Sequence, residues 1–115
     1  YCNEIYLSDT KYSLTSKEEA GKFSMETKIQ ANKWIEEQYD CDEFSFALMG
    51  YWNTGLYQYP FGIAWSKPHA FNIGIFTTDG KNKTIYIIEP QSNKFMTIEE
   101  AKKDSKYYPL RLILI

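Results

Sequence analysis

The chain has 115 residues, of which 43% are hydrophobic and 17% aromatic, a composition that excludes a disordered polypeptide and predicts a single domain over residues 1–115. Its net charge of −2 gives no attraction to a phosphate backbone or an anionic membrane, so nucleic acid and membrane are excluded as expected partners. No apolar stretch approaches the ~20 residues that span a bilayer, and the first residues lack the pattern of a secretory signal, which favours the cytoplasm over secretion. The composition does not predict an oligomeric state.

The first third of the chain predicts helices after an irregular start. Residues 1–14 are polar and rich in tyrosine without a clear period, which indicates irregular structure or one short edge strand. Residues 16–39 are rich in helix formers and begin with Ser16 and Glu19 at the spacing of a capping box. We expect one long helix there, or two short ones with a break near Gly21 and Ser24.

A further helix is predicted to begin at Asp40. Asp is a favoured N-cap residue, and Glu43 stands three residues later, where its carboxylate can accept from the N-cap backbone. Cys41 would then be the first residue of the helix. The helix is expected to end near a group of breakers, Gly50, Asn53 and Gly55.

The remaining chain predicts strands, because its hydrophobic pattern changes to a period of two. Four runs rich in Ile, Phe, Tyr and Trp follow one another, namely GLYQYPFGIAWS, HAFNIGIFTT, KTIYIIEP and YYPLRLILI. Asp79-Gly80 between the second and third runs is a strong hairpin signal, and Thr97 with Glu100 predicts a short helix or turn. The predicted fold class is therefore α+β, with N-terminal helices packed on a four-stranded antiparallel sheet.

Three residues suggest chemistry by their type and order. Cys41 is expected at a helix N-terminus, where the helix dipole and free backbone N–H groups favour a thiolate, although the neighbouring acids oppose it. A three-residue hairpin loop centred on Asp79 would place His69, the only histidine, opposite Glu89 on a core face that the helix of Cys41 would cover. The pattern predicts a nucleophile, a general base and an orienting carboxylate. Each residue also has a purely structural interpretation, in which Cys41 is a small buried side chain and His69 bonds a neighbour at the edge of the core.

Residues near these three could stabilise an oxyanion or bind a metal ion. Gln38 and Gln91 are candidate oxyanion donors, although an amide side chain is more often a solvated surface group. No metal ligands are assigned, but three acids beside the cysteine are weak candidates for hard oxygen donors, namely Asp40, Asp42 and Glu43. Five residues could line a cleft, although aromatic residues in such positions more often belong to the core, namely Trp52, Asn53, Tyr57, Tyr59 and Trp65.

Three stretches of the chain together resemble the papain-like C-terminal domain of a fairy-ring mushroom agglutinin and related small phage and bacterial proteins. The stretches are CDEFSFALMGYWN, FGIAWSKPHAFNIGIF and IYIIEPQSNKF, within about residues 38–96. That family has a Cys-Asp pair opening a helix, a His-Ala-x-Asn strand and a Glu-Pro-Gln strand end, which match Cys41, His69 and Glu89. The resemblance does not extend to the lectin domain of the agglutinin, so by itself it does not imply sugar binding.

The resemblance implies a papain-like cysteine hydrolase that acts on a peptide or another amide or ester through an acyl-enzyme. In the agglutinin this activity is calcium-dependent proteolysis, so Ca²⁺ is a possible cofactor here. The alternative hypothesis is a catalytically inactive papain-like module used for binding, such as a phage or host-interaction protein. The abundance of tyrosine, ten residues in all, fits that alternative equally well.

Overall fold

A six-stranded sheet forms the centre of the computed structural model, which describes residues 2–54 and 58–115. Its order is β1-β6-β2-β3-β4-β5, where β1 pairs with β6 in parallel and every other neighbouring pair is antiparallel. The strands are β1 (Cys2–Tyr6), β2 (Phe61–Trp65), β3 (Ala70–Thr77), β4 (Lys83–Glu89), β5 (Lys94–Thr97) and β6 (Leu110–Leu114).

The predicted fold class is wrong in the number of strands, in their directions and in how far helices cover the sheet. The sheet is mixed and has six strands, and it is accompanied by short helices rather than covered by long ones. The two strands beyond the predicted four are the edges of the sheet, and of these only β1 had been expected, as the alternative to an irregular start. β1 is mostly exposed and therefore lacks an alternating pattern, and β5 has only four residues that run directly into a helix.

The helices begin where their capping residues predict, but the first is shorter than its composition suggests. Helix α1 (Lys17–Glu26) begins after Ser16, whose Oγ accepts from the Glu19 N–H at 3.1 Å. It continues through Gly21 and Ser24 and ends at Glu26 with Thr27 as its C-cap, because Lys28 takes a left-handed conformation with φ of 56°. One 3-10 turn (Ile29–Ala31) follows, and the chain is irregular from there to Asp40.

Helix α2 (Cys41–Trp52) confirms the predicted start. Asp40 accepts from the Asp42 N–H at 3.3 Å, and the Glu43 carboxylate accepts from the Asp40 N–H at 3.1 Å, so both halves of the capping box are formed. The C-cap is Asn53, as expected, and Gly55 lies outside the described residues. Helix α3 (Ile98–Ala101) has the same kind of box between Thr97 and Glu100.

The sheet buries a different core on each face. On the first, which we call the helix face, side chains of α1 and α2 pack on alternate residues of the strands, including Phe61, Phe76 and Ile88. On the second, the loop face, α3 and the segment 102–109 cover the intervening residues, including Phe71, Ile73 and Ile87. Side chains alternate between faces along each strand, so neighbouring residues in β3 belong to different cores.

Gly62 marks a close approach between two strands, and it gives a test of the sheet register. A Cβ at this position would lie 1.8 Å from the backbone oxygen of Leu114, whereas a Cβ at Gly21 on α1 would meet nothing within 4 Å. Gly62→Ala should lower the free energy of unfolding by at least about 2 kcal/mol, because the clash is with backbone. Gly21→Ala should raise it by up to about 1 kcal/mol, because alanine favours the helix.

Urea unfolding of both variants measures these changes. A Gly62→Ala protein as stable as the wild type would contradict the β2–β6 pairing.

Within residues 2–54 and 58–115, no helix is both long and apolar enough to cross a membrane.

Candidate functional site

His69 and Glu89 meet at the end of the sheet, as the sequence predicted. The Nε2 of His69 lies 2.7 Å from Oε1 of Glu89, and both side chains are buried. The predicted register is nevertheless off by two residues, because the hairpin loop has five residues, 78–82, and Asn72 pairs with Ile88. A shift by two keeps side chains on the same face, so a diagonal contact replaces the predicted direct one.

Glu89 is a buried anion with several donors. Its Oε1 also accepts from the Tyr107 hydroxyl at 3.0 Å and lies 3.7 Å from Nζ of Lys106, while Oε2 accepts from the Gln91 N–H at 3.3 Å. Burial by itself would raise the pKa of the Glu89 carboxyl, but these bonds, above all the one from His69, outweigh it and hold the pKa below its usual range. The same carboxylate, together with burial, raises the pKa of the Tyr107 hydroxyl.

Cys41 stands at the tip of α2, but its environment opposes a thiolate. Burial raises the pKa of the Cys41 thiol, and the negative charges of Asp42 and Asp40 raise it further; only the backbone of Ala70 acts the other way. The thiol donates to Oδ1 of Asp42 across 3.6 Å. The Cys41 thiol is therefore protonated at neutral pH.

The sequence predicted that the helix of Cys41 covers the face of the sheet that carries His69, and this prediction is wrong. Helix α2 packs on the helix face of the sheet, where Asn72 of β3 donates to the Ser45 carbonyl oxygen at 2.9 Å. The ring of His69 packs on the loop face, against the rings of Phe71 and Tyr107 at centroid distances of 5.7 and 5.6 Å. His69 and Glu89 are thus joined to the loop segment 102–109 and its core.

The remaining predicted site residues have ordinary structural surroundings. Gln38 is exposed, and Gln91 contributes its backbone N–H to Glu89. Their roles as oxyanion donors, like the roles assigned to Cys41, His69 and Glu89, stay predictions.

Cys41 and its two neighbouring aspartates have donor atoms close enough to share a cation, but several of the carboxylate oxygens already accept hydrogen bonds. Ligand atoms of Asp40, Cys41 and Asp42 lie within 4.8 Å of one another. Asp40 accepts from two backbone N–H groups, and Glu43 caps Asp40. Ca²⁺ takes six to eight oxygen ligands, so these residues do not fit it.

Alkylation of Cys41 tests this description of the thiol. In a Cys2→Ala background, iodoacetamide should react with Cys41 slowly at pH 7, with an apparent pKa above the ~8.5 of free cysteine. Asp42→Asn should shift the reaction to lower pH, because it removes a neighbouring negative charge. An apparent pKa below 7 that disappears in His69→Ala would contradict the protonated thiol; mass spectrometry of the labelled chain gives the rates.

An open groove lies on the helix face near β1, β6 and β2. Strand pairing sets Tyr6 beside Leu114, and sets Leu112 between Glu4 and Trp65. Helix α2 contacts β2 and β3, so these side chains lie beyond its edge, where Leu114 is exposed. The groove has a volume of about 550 Å³. We call it the tryptophan groove; its lining residues are Asn3, Glu4, Tyr6, Trp65, Ser66, Lys67, Arg111, Leu112 and Leu114.

The sequence identified only Trp65 in this groove. Its indole is partly exposed and packs on Phe46 of α2 with ring centroids 6.1 Å apart. Tyr6 donates to the Glu4 carboxylate at 2.8 Å, and Arg111, the only arginine of the chain, lies on β6. The sequence carries only a weak signal for this groove, because its lining residues come from opposite ends of the chain and meet only through the parallel β1–β6 pair.

The fold is that of a mushroom agglutinin-like protein, as comparison with solved structures shows. PSL1a in a PSL1a–E64 complex matches 98% of this chain and 44% of its own, with a TM-score of 0.76 and 20% identity. Polyporus squamosus lectin, bound to the human-type influenza-binding epitope Neu5Acα2-6Galβ1-4GlcNAc, matches 95% and 42% with a TM-score of 0.67 and 21% identity. This chain therefore spans less than half of either structure. No protein-family model and no curated protein matches it.

These findings correct the functional prediction. The solved structures that share the fold support the agglutinin part of the resemblance and not its papain-like or phage part. The prediction of a cysteine hydrolase, with its protease and catalytic-triad interpretation, is wrong, and so is a papain-like fold class. The alternative that the sequence left open, a binding module, fits better.

Proposed function

We propose that this chain is a non-catalytic binding module and that its ligand is a carbohydrate held in the tryptophan groove. The observation that carries the proposal is the composition of that groove, in which a partly exposed indole and an exposed phenol lie beside planar polar side chains. The ligand that this composition suits has an apolar face and several hydroxyl groups.

The chemistry of a sugar matches each part of the groove. The C–H face of a pyranose ring can pack on the flat Trp65 indole, which presents a large apolar surface with a polar edge. The guanidinium of Arg111 supplies fixed donors, while the Glu4 carboxylate supplies acceptors. Hydroxyl groups both donate and accept, so one sugar can use both. A mainly apolar pocket with few polar groups is the usual form of a small-molecule site.

The comparison with solved structures is a separate observation that supports a carbohydrate as the ligand. Polyporus squamosus lectin is described as bound to a sialylated trisaccharide, and its fold covers nearly all of this chain. Because the match extends over less than half of that lectin, the proposal rests on the groove of this chain and takes from the lectin only the class of ligand to test.

A glycan array tests the proposal without assuming the sugar. The wild-type chain should bind a subset of glycans, and Tyr6→Ala should weaken that binding about tenfold, because the exposed phenol can be removed without disturbing the core. Leu7→Ala is the matched control, since Leu7 is exposed just past the same strand but does not line the groove. No binding to any glycan, or equal loss in both variants, would reject the proposal.

A further inference from the structure

The tryptophan groove has more positive than negative charge. It is lined by two cations, Lys67 and Arg111, and by one carboxylate, that of Glu4. The chain as a whole has a net charge of −2, so this groove is a positive region on a protein that is negative overall. A groove lined by an excess of one charge attracts ligands of the opposite charge.

Both cations lie at the same end of the groove. Trp65 pairs with Leu112 in the antiparallel β2–β6 ladder, so residues after Trp65 and residues before Leu112 lie beyond that pair in the same direction. Lys67 and Arg111 are such residues. Tyr6 lies in the other direction, because it pairs with the residue two positions after Leu112. The groove therefore has a cationic end, an indole at its middle and an end formed by a phenol and apolar side chains.

The cationic end has no anion of its own. Among residues 2–54 and 58–115, neither Lys67 nor Arg111 forms an ion pair, and both side chains are exposed. The Glu4 carboxylate interacts with Tyr6 instead, whose hydroxyl donates to Oε2 at 2.8 Å. The Ser66 hydroxyl is also used, because it donates to a backbone carbonyl oxygen at 2.5 Å. The groups left for a ligand at this end are therefore two positively charged donors.

From this arrangement we infer that the tryptophan groove is selective for sugars that carry a carboxylate, with the sugar ring on Trp65 and the carboxylate on Arg111. The inference deepens the proposed function and rests on it. A guanidinium binds a carboxylate through two parallel N–H···O bonds, which are stronger than its bonds to a neutral hydroxyl. Lys67 adds a second positive charge at the same end. A neutral sugar can pack on the indole equally well but offers these two cations no charge.

Two small glycosides that differ in one group test the inference. Methyl β-D-glucuronide has a carboxylate where methyl β-D-glucoside has a hydroxymethyl group, and both present the same ring hydroxyls. In ¹H–¹⁵N NMR titrations that follow the Trp65 indole N–H, the glucuronide should bind about tenfold more tightly than the glucoside. Added NaCl should reduce this preference, because salt screens the attraction between exposed charges.

Arg111→Gln should remove the preference and leave the affinity for the glucoside unchanged within about twofold, because it removes the charge and keeps a planar donor. The matched control is Lys81→Gln, which removes one positive charge from an exposed residue of the β3–β4 loop outside the groove. This control should keep the preference for the glucuronide. Equal loss in both variants would show that the net charge of the chain causes the preference, and would overturn the inference.

The possible outcomes separate this inference from the function on which it rests. Equal affinity for the two glycosides, or tighter binding of the glucoside, would overturn the selectivity and leave carbohydrate binding intact. If neither glycoside shifts the indole signal, the glycan array decides: ligands that carry a carboxylate support the inference, and ligands that are all neutral overturn it. A chain that binds no glycan at all overturns both proposals.

Discussion

Replacing Trp65 with alanine is expected to weaken glycan binding to the tryptophan groove by about tenfold to a hundredfold. Tryptophan side chains at the centre of a binding site commonly contribute about 2 kcal/mol or more when they are removed, and Trp65 supplies the largest flat surface in this groove. Titration of the best array glycan by isothermal calorimetry measures the change.

The control for Trp65 is Trp34, which is 48% exposed and does not line the tryptophan groove. Trp34→Ala should leave glycan affinity unchanged within twofold. Because Trp65 also packs on Phe46, the free energy of unfolding of each variant should be measured alongside. A stable Trp65→Ala protein with wild-type affinity would show that the sugar does not bind where we propose.

Replacing Glu89 with alanine is expected to cost about 3 kcal/mol of folding stability at pH 7. The carboxylate is buried and accepts from His69, Tyr107 and the Gln91 backbone, so its loss leaves several buried donors without a partner. Urea unfolding of the variant and the wild type gives the difference. Glu99→Ala is the control, because the Glu99 side chain is 83% exposed and its pair with Lys102 should contribute less than about 0.5 kcal/mol.

The contribution of Glu89 to the free energy of unfolding should also decrease as the pH is lowered. Its carboxyl has a pKa below the ~4.3 of an unfolded glutamate, so its stabilising contribution is complete above that value and is lost as pH falls through the lowered pKa. The difference in unfolding free energy between wild type and Glu89→Ala should therefore narrow below about pH 4. A difference that stays constant down to pH 3 would contradict an ionised, hydrogen-bonded Glu89.

Local signals predicted the helix starts and the central hairpin because each of those features depends on neighbouring residues. The capping boxes at Asp40 and Thr97 and the cap at Ser16 all formed. At the hairpin, Gly80 has φ of 79°, and the Asp79 carboxylate accepts from the backbone N–H groups of Lys81 and Asn82. These bonds hold the pKa of Asp79 at about 2 and close a longer loop than the expected one.

The architecture could not be predicted in the same way because it depends on contacts between distant segments. Residues 2–6 become a strand only by pairing in parallel with residues 110–114, and nothing in either segment specifies a partner more than a hundred residues away. That single pairing makes the sheet mixed. It also creates the tryptophan groove, which the sequence therefore could not reveal as a site.

The sequence predicted the proximity of His69 and Glu89 correctly, whereas the hydrolase function inferred from them is wrong. His69 and Glu89 do form a hydrogen bond, because a two-residue error in register preserves the face of a strand. The order Cys, His, Glu gave no information on the face of the sheet that α2 covers, or on the balance between burial and acidic neighbours at Cys41. Those two features depend on the folded structure, so the order of residues could not supply them.

The most direct test of carbohydrate binding by this chain is to map where a bound glycan lies. In ¹H–¹⁵N NMR spectra of the labelled chain titrated with Neu5Acα2-6Galβ1-4GlcNAc and then with Galβ1-4GlcNAc, we predict that at least one glycan shifts the Trp65 indole N–H and the backbone signals of Tyr6 and Arg111. Signals around Cys41 should remain unchanged. Spectra that neither glycan alters at millimolar concentration, or shifts confined to residues outside the tryptophan groove, would contradict the account.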